Sequence, residues 1–221
     1  MLEAIGDEGL WDNSIVMFWV DHGDFAGQYG LMEKWDTAMQ DCILHVPQIL
    51  CAPGLPAGHR VDSLTAHTDL APTLLDLLGI EADWGLHGNS LLPVIRGEDT
   101  RSAVFADGGH ERAMRTRFNR KIRKDIAGGR SVPTTHGKQE VYMRFPETMA
   151  RVKMVRTDRW KLCIREEGGN ELYDMQHDPH ELCNLWGRDS FDDVVRDLQL
   201  RLIEWCLRTD TDRPHQARVG A

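Results

Sequence analysis

The 221-residue chain is acidic, with 26 lysine and arginine residues against 35 aspartate and glutamate residues and a formal net charge of −9. Its content of 41% hydrophobic and 28% charged residues is typical of a soluble globular protein with a sizeable core. The negative charge argues against a nucleic-acid binder, and no apolar run approaches the ~20 residues that span a bilayer. We therefore expect a protein that acts without nucleic acid and without a membrane.

The first predicted strand is an unbroken apolar run from Ile15 to Val20. A run this short and continuous predicts a strand buried on both faces, as in the parallel sheet of an α/β protein. Asp21 and His22 follow it directly, and Gly23 then lets the backbone turn away. Because ligands of open α/β sheets bind beyond the carboxyl ends of the strands, this pair is a candidate metal site. The alternative is an ordinary polar strand end followed by a turn.

Three further side chains are candidates for a site. Lys34 comes after a loop punctuated by glycines and is a cation that can reach an anion near the metal, although a solvated surface lysine is the alternative. His67 precedes an apolar helix that Gly79 ends, where a packing or capping role is the commoner one. His110 follows the Gly108–Gly109 turn at the end of a third predicted strand, residues 103–106, where it can line a pocket.

Composition changes in the middle of the chain. The segment from Arg112 to Lys124 holds seven basic residues and no acid. With little periodicity as far as Arg144, it is interpreted as an irregular insertion or a mobile flap. Its charges either attract an anionic ester or form a solvated helix face.

The C-terminal region predicts a small antiparallel sheet covered by a helix. Residues 154–157 and 161–165 form a predicted hairpin, and residues 171–174 form a third short strand. An amphipathic pattern predicts a helix over residues 191–207. The predicted domains are therefore an α/β part over 1–110, an irregular basic insertion over 111–150 and an antiparallel subdomain over 151–221.

Five cysteines occur without a C-x-x-C pair or zinc-type spacing. This pattern predicts buried, reduced thiols, which favours a cytoplasmic protein.

Several stretches, in their order along the chain, resemble the sulfatase family of the alkaline phosphatase superfamily. The Asp-Asn-Ser-Ile-Val stretch with its following Asp-His-Gly resembles the second metal motif of that family. Each motif alone is weak, but the shared order over most of the chain is specific. The other matching stretches are residues 31–34, 46–54, 69–76, 155–162 and 171–185.

The resemblance implies a sulfuric ester hydrolase with an alkaline-phosphatase-like sandwich and a mostly parallel sheet. It implies Asp21 and His22 as metal ligands, Lys34 as the catalytic side chain that contacts the sulfate, and His110 and His67 as candidate substrate contacts. The implied cofactor is a divalent cation, Ca²⁺ by family, with Mg²⁺ or Mn²⁺ as alternatives. The implied reaction runs through a formylglycine nucleophile.

The nucleophile motif of the family, Cys- or Ser-x-Pro-x-Arg, does not occur in this sequence: Cys51-Ala52-Pro53-Gly54-Leu55 has leucine where arginine is needed. The N-terminal Asp-Asp metal pair is also missing. We therefore expect the chain to correspond to the C-terminal half of a sulfatase, to need the N-terminal half as a partner and to be inactive alone. An unpaired apolar strand edge would also favour a homo-oligomer.

Two rival functions stay open at this point. A phosphonate or phosphate ester hydrolase of the same superfamily shares the metal and the geometry. A non-catalytic fragment or pseudoenzyme would act as a binding module.

Overall fold

The computed structural model describes residues 1–128, 141–142 and 144–209, which divide into two compact units. The first unit contains Met1–Met32 and Asp41–Val104, with the described residues from Cys206 onward. The second unit contains Glu33–Gln40 and Phe105–Trp205. No helix in the described ranges is long and apolar enough to cross a membrane.

The first unit holds four helices and a two-stranded sheet. The helices are α1 (Leu2–Asp7), α2 (Asp41–Leu44), α3 (Leu70–Leu77) and α4 (Leu92–Ile95), and the strands are β1 (Val16–Trp19) and β2 (Gln48–Cys51). The strand β1 lies within one residue of the predicted run from Ile15 to Val20 at each end. Gly79 has a φ of 66° just beyond α3, as the sequence indicates for a residue that ends a helix.

The pairing of β1 with β2 differs from the parallel arrangement expected of this region. The two strands run antiparallel, with Val16 opposite Cys51 and Trp19 opposite Gln48. A parallel pair needs a crossover that returns the chain to the same end of the sheet, usually through a helix of some length. The segment between β1 and β2 contains only a 3-10 turn (Gln28–Gly30) and the single turn of α2, so the chain comes back in the opposite direction.

The prediction that β1 is buried on both faces is wrong for this chain. Phe18 is 56% exposed, Trp19 38% and Ile49 of β2 61%. In the described residues β1 has one strand beside it, and a two-stranded sheet cannot bury two faces. The apolar run from Ile15 to Val20 correctly predicts a strand, but in this chain the two strands leave a large apolar surface exposed.

The second unit is built on a four-stranded sheet, in the spatial order β3-β4-β5-β6. Its strands are β3 (Val104–Gly108), β4 (Val152–Arg156), β5 (Trp160–Arg165) and β6 (Glu171–Asp174). The β4–β5 and β5–β6 pairs are antiparallel, which confirms the predicted hairpin and third strand. The core is apolar and almost fully buried, with Val152, Val155, Leu162 and Leu172 all at 0% exposure.

The predicted C-terminal helix is present as α6 (Asp192–Thr209). It buries Leu198 and Leu202, and its Trp205 ring stacks on Phe105 of β3 at 5.2 Å between centroids. The amphipathic pattern therefore identified both the helix and the face that packs.

The basic segment forms a helix, α5 (Arg112–Ala127), and not the irregular insertion expected from its composition. Arginine and lysine are good helix formers, and ion pairs can hold a helix that lacks a broad apolar face. Arg112 and Arg115 supply such pairs, to Glu167 and to both Glu166 and Glu167. The stretch 129–140 of the same expected insertion lies outside the described residues.

The cysteines are free, but they are not uniformly buried as predicted. Cys163 is fully buried, and burial raises the pKa of its thiol to about 12. Cys51 and Cys183 are exposed. Both are exposed because of where they lie: Cys51 is on the two-stranded sheet and Cys183 is on a loop after β6.

Candidate functional site

Asp21 and His22 lie just beyond the end of β1 and face one another. The Oδ2 atom of Asp21 lies 3.2 Å from the Nε2 atom of His22, and the His22 backbone N–H donates to Asp21 Oδ1 at 3.0 Å. The Asp21 side chain is 82% exposed and the His22 side chain 33%. One carboxylate and one imidazole thus converge on the same point at an accessible strand end.

The contact made by His22 Nδ1 determines which ring nitrogen of the neutral imidazole carries the lone pair. His22 Nδ1 lies 2.8 Å from the carbonyl oxygen of Gly23, and since a carbonyl can only accept, Nδ1 must donate. In the neutral ring Nε2 then carries a lone pair directed at the Asp21 carboxylate. The carboxylate and this lone pair point at one another and are placed to share a cation. A backbone carbonyl that orients a histidine in this way is the usual support of a metal-ligating imidazole.

The donor set fits a divalent cation, but only in part. Two ligand atoms bound to one ion at ~2.1–2.4 Å lie about 3.0–3.4 Å apart when they subtend a right angle, which matches the Asp21–His22 separation. Within the described ranges, no group of three or more His, Cys, Asp or Glu side chains is arranged to hold a metal. Hard cations take six or more ligands, so Asp21 and His22 alone do not complete a site for one.

Gly23 is required at this turn for a reason that the sequence did not reveal. Its N–H donates to the Ile43 carbonyl at 2.8 Å, and a Cβ at this position would lie 2.0 Å from the Cys42 carbonyl oxygen. The glycine therefore permits close approach of the α2 backbone, and no positive φ is involved. This contact anchors the loop directly after the two candidate ligands.

His67 lies close to the same strand end. Its Nε2 lies 3.1 Å from the carbonyl oxygen of Val20, the residue before Asp21, and its ring lies 5.1 Å from the Trp19 ring. From the sequence alone His67 is a weak candidate, since a packing or capping histidine is common before a helix. The structure nonetheless ties it to the backbone that carries Asp21.

The second unit holds the other two candidates, Lys34 and His110. Lys34 is exposed and follows Glu33, whose φ of 65° turns the chain sharply. Two residues later, Asp36 contacts His110, with 3.2 Å between Asp36 Oδ2 and His110 Nε2. The side chains of this dyad are 38% and 39% exposed, so both remain accessible.

The turn before His110 depends on two glycines. A Cβ on Gly109 would lie 2.2 Å from the Ala150 carbonyl oxygen, and its φ is 80°. A Cβ on Gly108 would lie 2.7 Å from the Asp36 carbonyl oxygen, which accepts a hydrogen bond from the Gly109 N–H at 3.0 Å. The glycine pair thus lets the end of β3 approach the Asp36 backbone and brings His110 to the Asp36 carboxylate.

Asp36 and Tyr142 were not singled out from the sequence. Trp35 packs edge-on against Tyr142 at 5.4 Å between ring centroids. Burial raises the pKa of the Tyr142 hydroxyl, and the nearby Asp36 carboxylate raises it further. The signal in the sequence was weak: Asp36 lies two residues after Lys34, but its partner His110 is far away along the chain.

The candidates therefore form two groups. The structure brings Asp21, His22 and His67 together in the first unit, and it gives His110 a carboxylate partner in the second unit, which also carries Lys34.

Comparison with known proteins shows similarity to sulfatases. Residues 1–80 match the family model described as Sulfatase, and residues 125–207 match the model described as N-sulphoglucosamine sulphohydrolase, C-terminal. Arylsulfatase K of Bos taurus is 27% identical over 202 residues, covering 90% of this chain and 32% of that protein. The human protein of the same name is 27% identical over 185 residues, covering 82% of this chain and 29% of that protein. The chain thus spans about a third of the length of these curated relatives.

Solved structures agree with the sequence comparison. A protein solved in complex with its substrate D-glucosamine-2-N,6-O-disulfate has a TM-score of 0.72 at 25% identity, covering 96% of this chain and 38% of that one. The phosphonate monoester hydrolase of Agrobacterium radiobacter has a TM-score of 0.71 at 25% identity, covering 93% and 37%. A putative sulfatase from Bacteroides thetaiotaomicron has a TM-score of 0.67 at 27% identity, covering 91% and 38%.

The four-stranded antiparallel sheet with its covering helix fits the C-terminal portion of the alkaline-phosphatase-like fold. The chain is similar to sulfatases of the alkaline phosphatase superfamily over residues 1–80 and 125–207, and it resembles the C-terminal half of that fold.

Proposed function

We propose that this chain contributes a metal-ligand pair and a sulfate-contacting lysine to a hydrolase of sulfuric esters. The observation that carries the proposal is the convergence of Asp21 Oδ2 and His22 Nε2, 3.2 Å apart, with the histidine oriented by the Gly23 carbonyl. Asp21 and His22 hold the divalent cation, which supplies charge for binding and polarising the sulfate group. Ca²⁺ is the proposed ion, with Mg²⁺ and Mn²⁺ as the alternatives.

Lys34 and His110 take the other roles in this proposal. The Lys34 ammonium stabilises negative charge on the sulfate oxygens as it develops in the transition state. His110 contacts the substrate, and Asp36 keeps its imidazole oriented at 3.2 Å. His67 is a second candidate contact, supported by its hydrogen-bond distance to the strand end that carries Asp21.

The proposal also needs donors that this sequence does not contain. The formylglycine nucleophile and the remaining metal ligands come from chain that corresponds to the N-terminal half of a sulfatase. Support comes from the comparison of lengths, because this chain covers 32% of its Bos taurus relative. We therefore propose the N-terminal half as the partner of the residues described above.

We further propose a sulfated sugar as the substrate class. The C-terminal family model is named for N-sulphoglucosamine, and one structural neighbour was solved with a disulfated glucosamine as its substrate. Both names describe other proteins, and their agreement on sulfated amino sugars supports the class.

Replacing Lys34 with alanine tests the proposal. In the complete enzyme we expect kcat/KM for an aryl sulfate to fall about 10²–10³-fold, the usual loss when one charge-stabilising donor is removed from a transition state. Lys34→Arg should recover part of the rate because it keeps the charge, and Arg60→Ala, which removes a side chain that is 88% exposed, should leave it unchanged. Full activity in Lys34→Ala would contradict the assignment.

The second candidate function is hydrolysis of phosphonate esters. The observation in its favour is the Agrobacterium radiobacter hydrolase, which matches 93% of this chain at a TM-score of 0.71. Relative turnover of aryl sulfate and aryl phosphonate esters by the complete enzyme decides between the two. Turnover of neither ester would support a non-catalytic binding module.

Metal binding by the 221-residue chain alone is expected to be weak. Asp21 and His22 are two donors, and they cannot offset the dehydration of a hard cation that takes several oxygen ligands. In calorimetric titrations with Ca²⁺, Mg²⁺ and Mn²⁺ we expect dissociation constants weaker than about 0.1 mM. Asp62→Ala removes an exposed carboxylate elsewhere and serves as the control. Micromolar binding that Asp21→Ala abolishes and Asp62→Ala preserves would refute this expectation.

A further inference from the structure

The exposed side of α5 is a row of cations. Arg117, Arg120, Lys121 and Lys124 are all exposed and follow the spacing i, i+3, i+4 and i+7, which places them on one side of a helix. At 1.5 Å per residue, the row extends over roughly 10 Å. A multiply charged anion can therefore contact several of these side chains at once.

The helix is fixed to the second unit through different residues. Arg115 is buried and pairs with Glu166 and Glu167 at 3.1 and 3.2 Å, and Arg112 pairs with Glu167 at 2.9 Å. Hydrogen bonds from Arg115 and then Arg112 hold the pKa of Glu167 below its usual range. The two arginines nearest the start of α5 thus anchor it to the loop after β5, and the basic row lies further along the same helix.

A row of this kind carries an electrostatic cost. Arg117 with Lys121, and Arg120 with Lys124, are like charges four residues apart, a spacing that destabilises a helix. The chain as a whole has a net charge of −9, so its average surface offers no reason for a local excess of cations. A bound polyanion would relieve the repulsion and would be attracted to this row.

We propose that the basic row of α5 binds a sulfated polysaccharide chain outside the site that holds the reacting ester. The inference rests on the proposed function, since it extends a sulfated sugar substrate beyond its reacting residue. His110 and α5 belong to the same unit, and the helix begins two residues after His110. A polysaccharide held along the row therefore lies on the unit that also carries Lys34 and the Asp36–His110 dyad.

A polysaccharide is favoured over a nucleic acid because of the charge distribution. The basic row covers about two turns of one helix, and the rest of this chain is strongly acidic. A long nucleic acid would extend beyond the row and meet a negatively charged surface. The charges of a short, flexible sulfated oligosaccharide are instead neutralised by the cations of the row.

The test compares two variants of the 221-residue chain with equal loss of charge. One carries Arg117→Gln, Arg120→Gln, Lys121→Gln and Lys124→Gln, and glutamine keeps the helix because its helix propensity is similar. The other carries Arg60→Gln, Arg188→Gln, Arg196→Gln and Arg208→Gln, which removes four exposed arginines outside α5. The probe is a fluorescently labelled heparin oligosaccharide, and binding is followed by anisotropy at low and at physiological salt.

We expect the unmodified chain to bind the oligosaccharide with an affinity that falls as salt rises. The α5 variant should lose at least about tenfold in affinity, and the control variant should stay within about twofold of the unmodified chain. The thermal midpoint of the α5 variant should not fall, because the substitutions remove like-charge repulsion. Equal affinities of the two variants would overturn the proposal.

Two further probes separate the alternatives. A desulfated oligosaccharide of the same length should bind at least about tenfold more weakly than the sulfated one. A single-stranded oligonucleotide that binds as tightly as the heparin probe would overturn the choice of a carbohydrate. Oligosaccharide binding is measured independently of turnover. Loss of binding with intact aryl sulfate turnover would therefore count against the basic row alone, and binding without turnover would count against the proposed function alone.

Discussion

Replacing Glu181 with leucine is expected to lower the free energy of unfolding of the second unit by about 3–5 kcal/mol. The Lys161 ammonium donates to Glu181 Oε2 at 3.0 Å, and the two side chains are 0% and 2% exposed. Removing the carboxylate takes the Glu181 partner away from Lys161, whose side chain is fully buried. The loss is large because a buried charge without its partner costs far more than the pair contributes. Urea unfolding followed by circular dichroism measures the change.

The control is the double variant Lys161→Met/Glu181→Leu, which removes both charges and keeps the volume apolar. We expect it to recover most of the stability lost in Glu181→Leu, since an apolar pair can replace a buried ion pair at little cost. Glu181 has a φ of 54°, and leucine replaces it in both variants. Any backbone strain at this position therefore cancels in the comparison. A double variant as unstable as the sum of Glu181→Leu and Lys161→Met would show that the pair is not coupled.

The C-terminal sheet and its covering helix could be predicted in detail because their sequence signals are local and agree with each other. Short runs rich in apolar residues form β4 and β5 around a short turn, and α6 carries its apolar residues at helical spacing. The Lys161–Glu181 pair could not be predicted in this way. A lysine is almost never fully buried, and only the fold shows that a carboxylate after β6 reaches it.

The first unit was predicted less well because its strands depend on what surrounds them. The apolar run that forms β1 is the pattern of a strand covered on both faces, yet Phe18 and Trp19 are exposed in this chain. Local pattern identifies the strand, whereas burial and pairing direction depend on residues distant in sequence. The helix α5 shows the converse error, because ion pairs with distant glutamates hold a segment that has little apolar periodicity.

The candidate site divides in the same way. Asp21, His22 and Lys34 could be found from short motifs, since each follows a recognisable strand or loop. Asp36 could not, because its significance comes from a contact with His110, 74 positions away. No alternation or spacing in the sequence encodes that pairing.

Replacing Asp69 with alanine is the other substitution expected to have a large effect, about 3–5 kcal/mol on the first unit. The Asp69 side chain is 1% exposed and accepts three hydrogen bonds, from Arg101 Nη1 at 2.6 Å, from the Ala66 N–H at 2.7 Å and from the Asn89 N–H at 3.0 Å. Its loss leaves the largely buried Arg101 guanidinium and two backbone donors without this partner.

The effect should extend to the candidate site, because Asp69 closes the single turn that carries His67. In Asp69→Ala we expect faster amide hydrogen exchange at Ala66 and Asn89, and a looser hold of His67 on the Val20 carbonyl.

Asp69→Asn should cost less, since its remaining oxygen still accepts a backbone N–H. In the double variant Asp69→Ala/Arg101→Met the guanidinium is gone, so part of the loss should be recovered. Asp62→Ala, at an exposed carboxylate, should change stability by less than about 0.5 kcal/mol. If Asp69→Ala were as mild as Asp62→Ala, the network around Asp69 would not be what holds this turn against the end of β1.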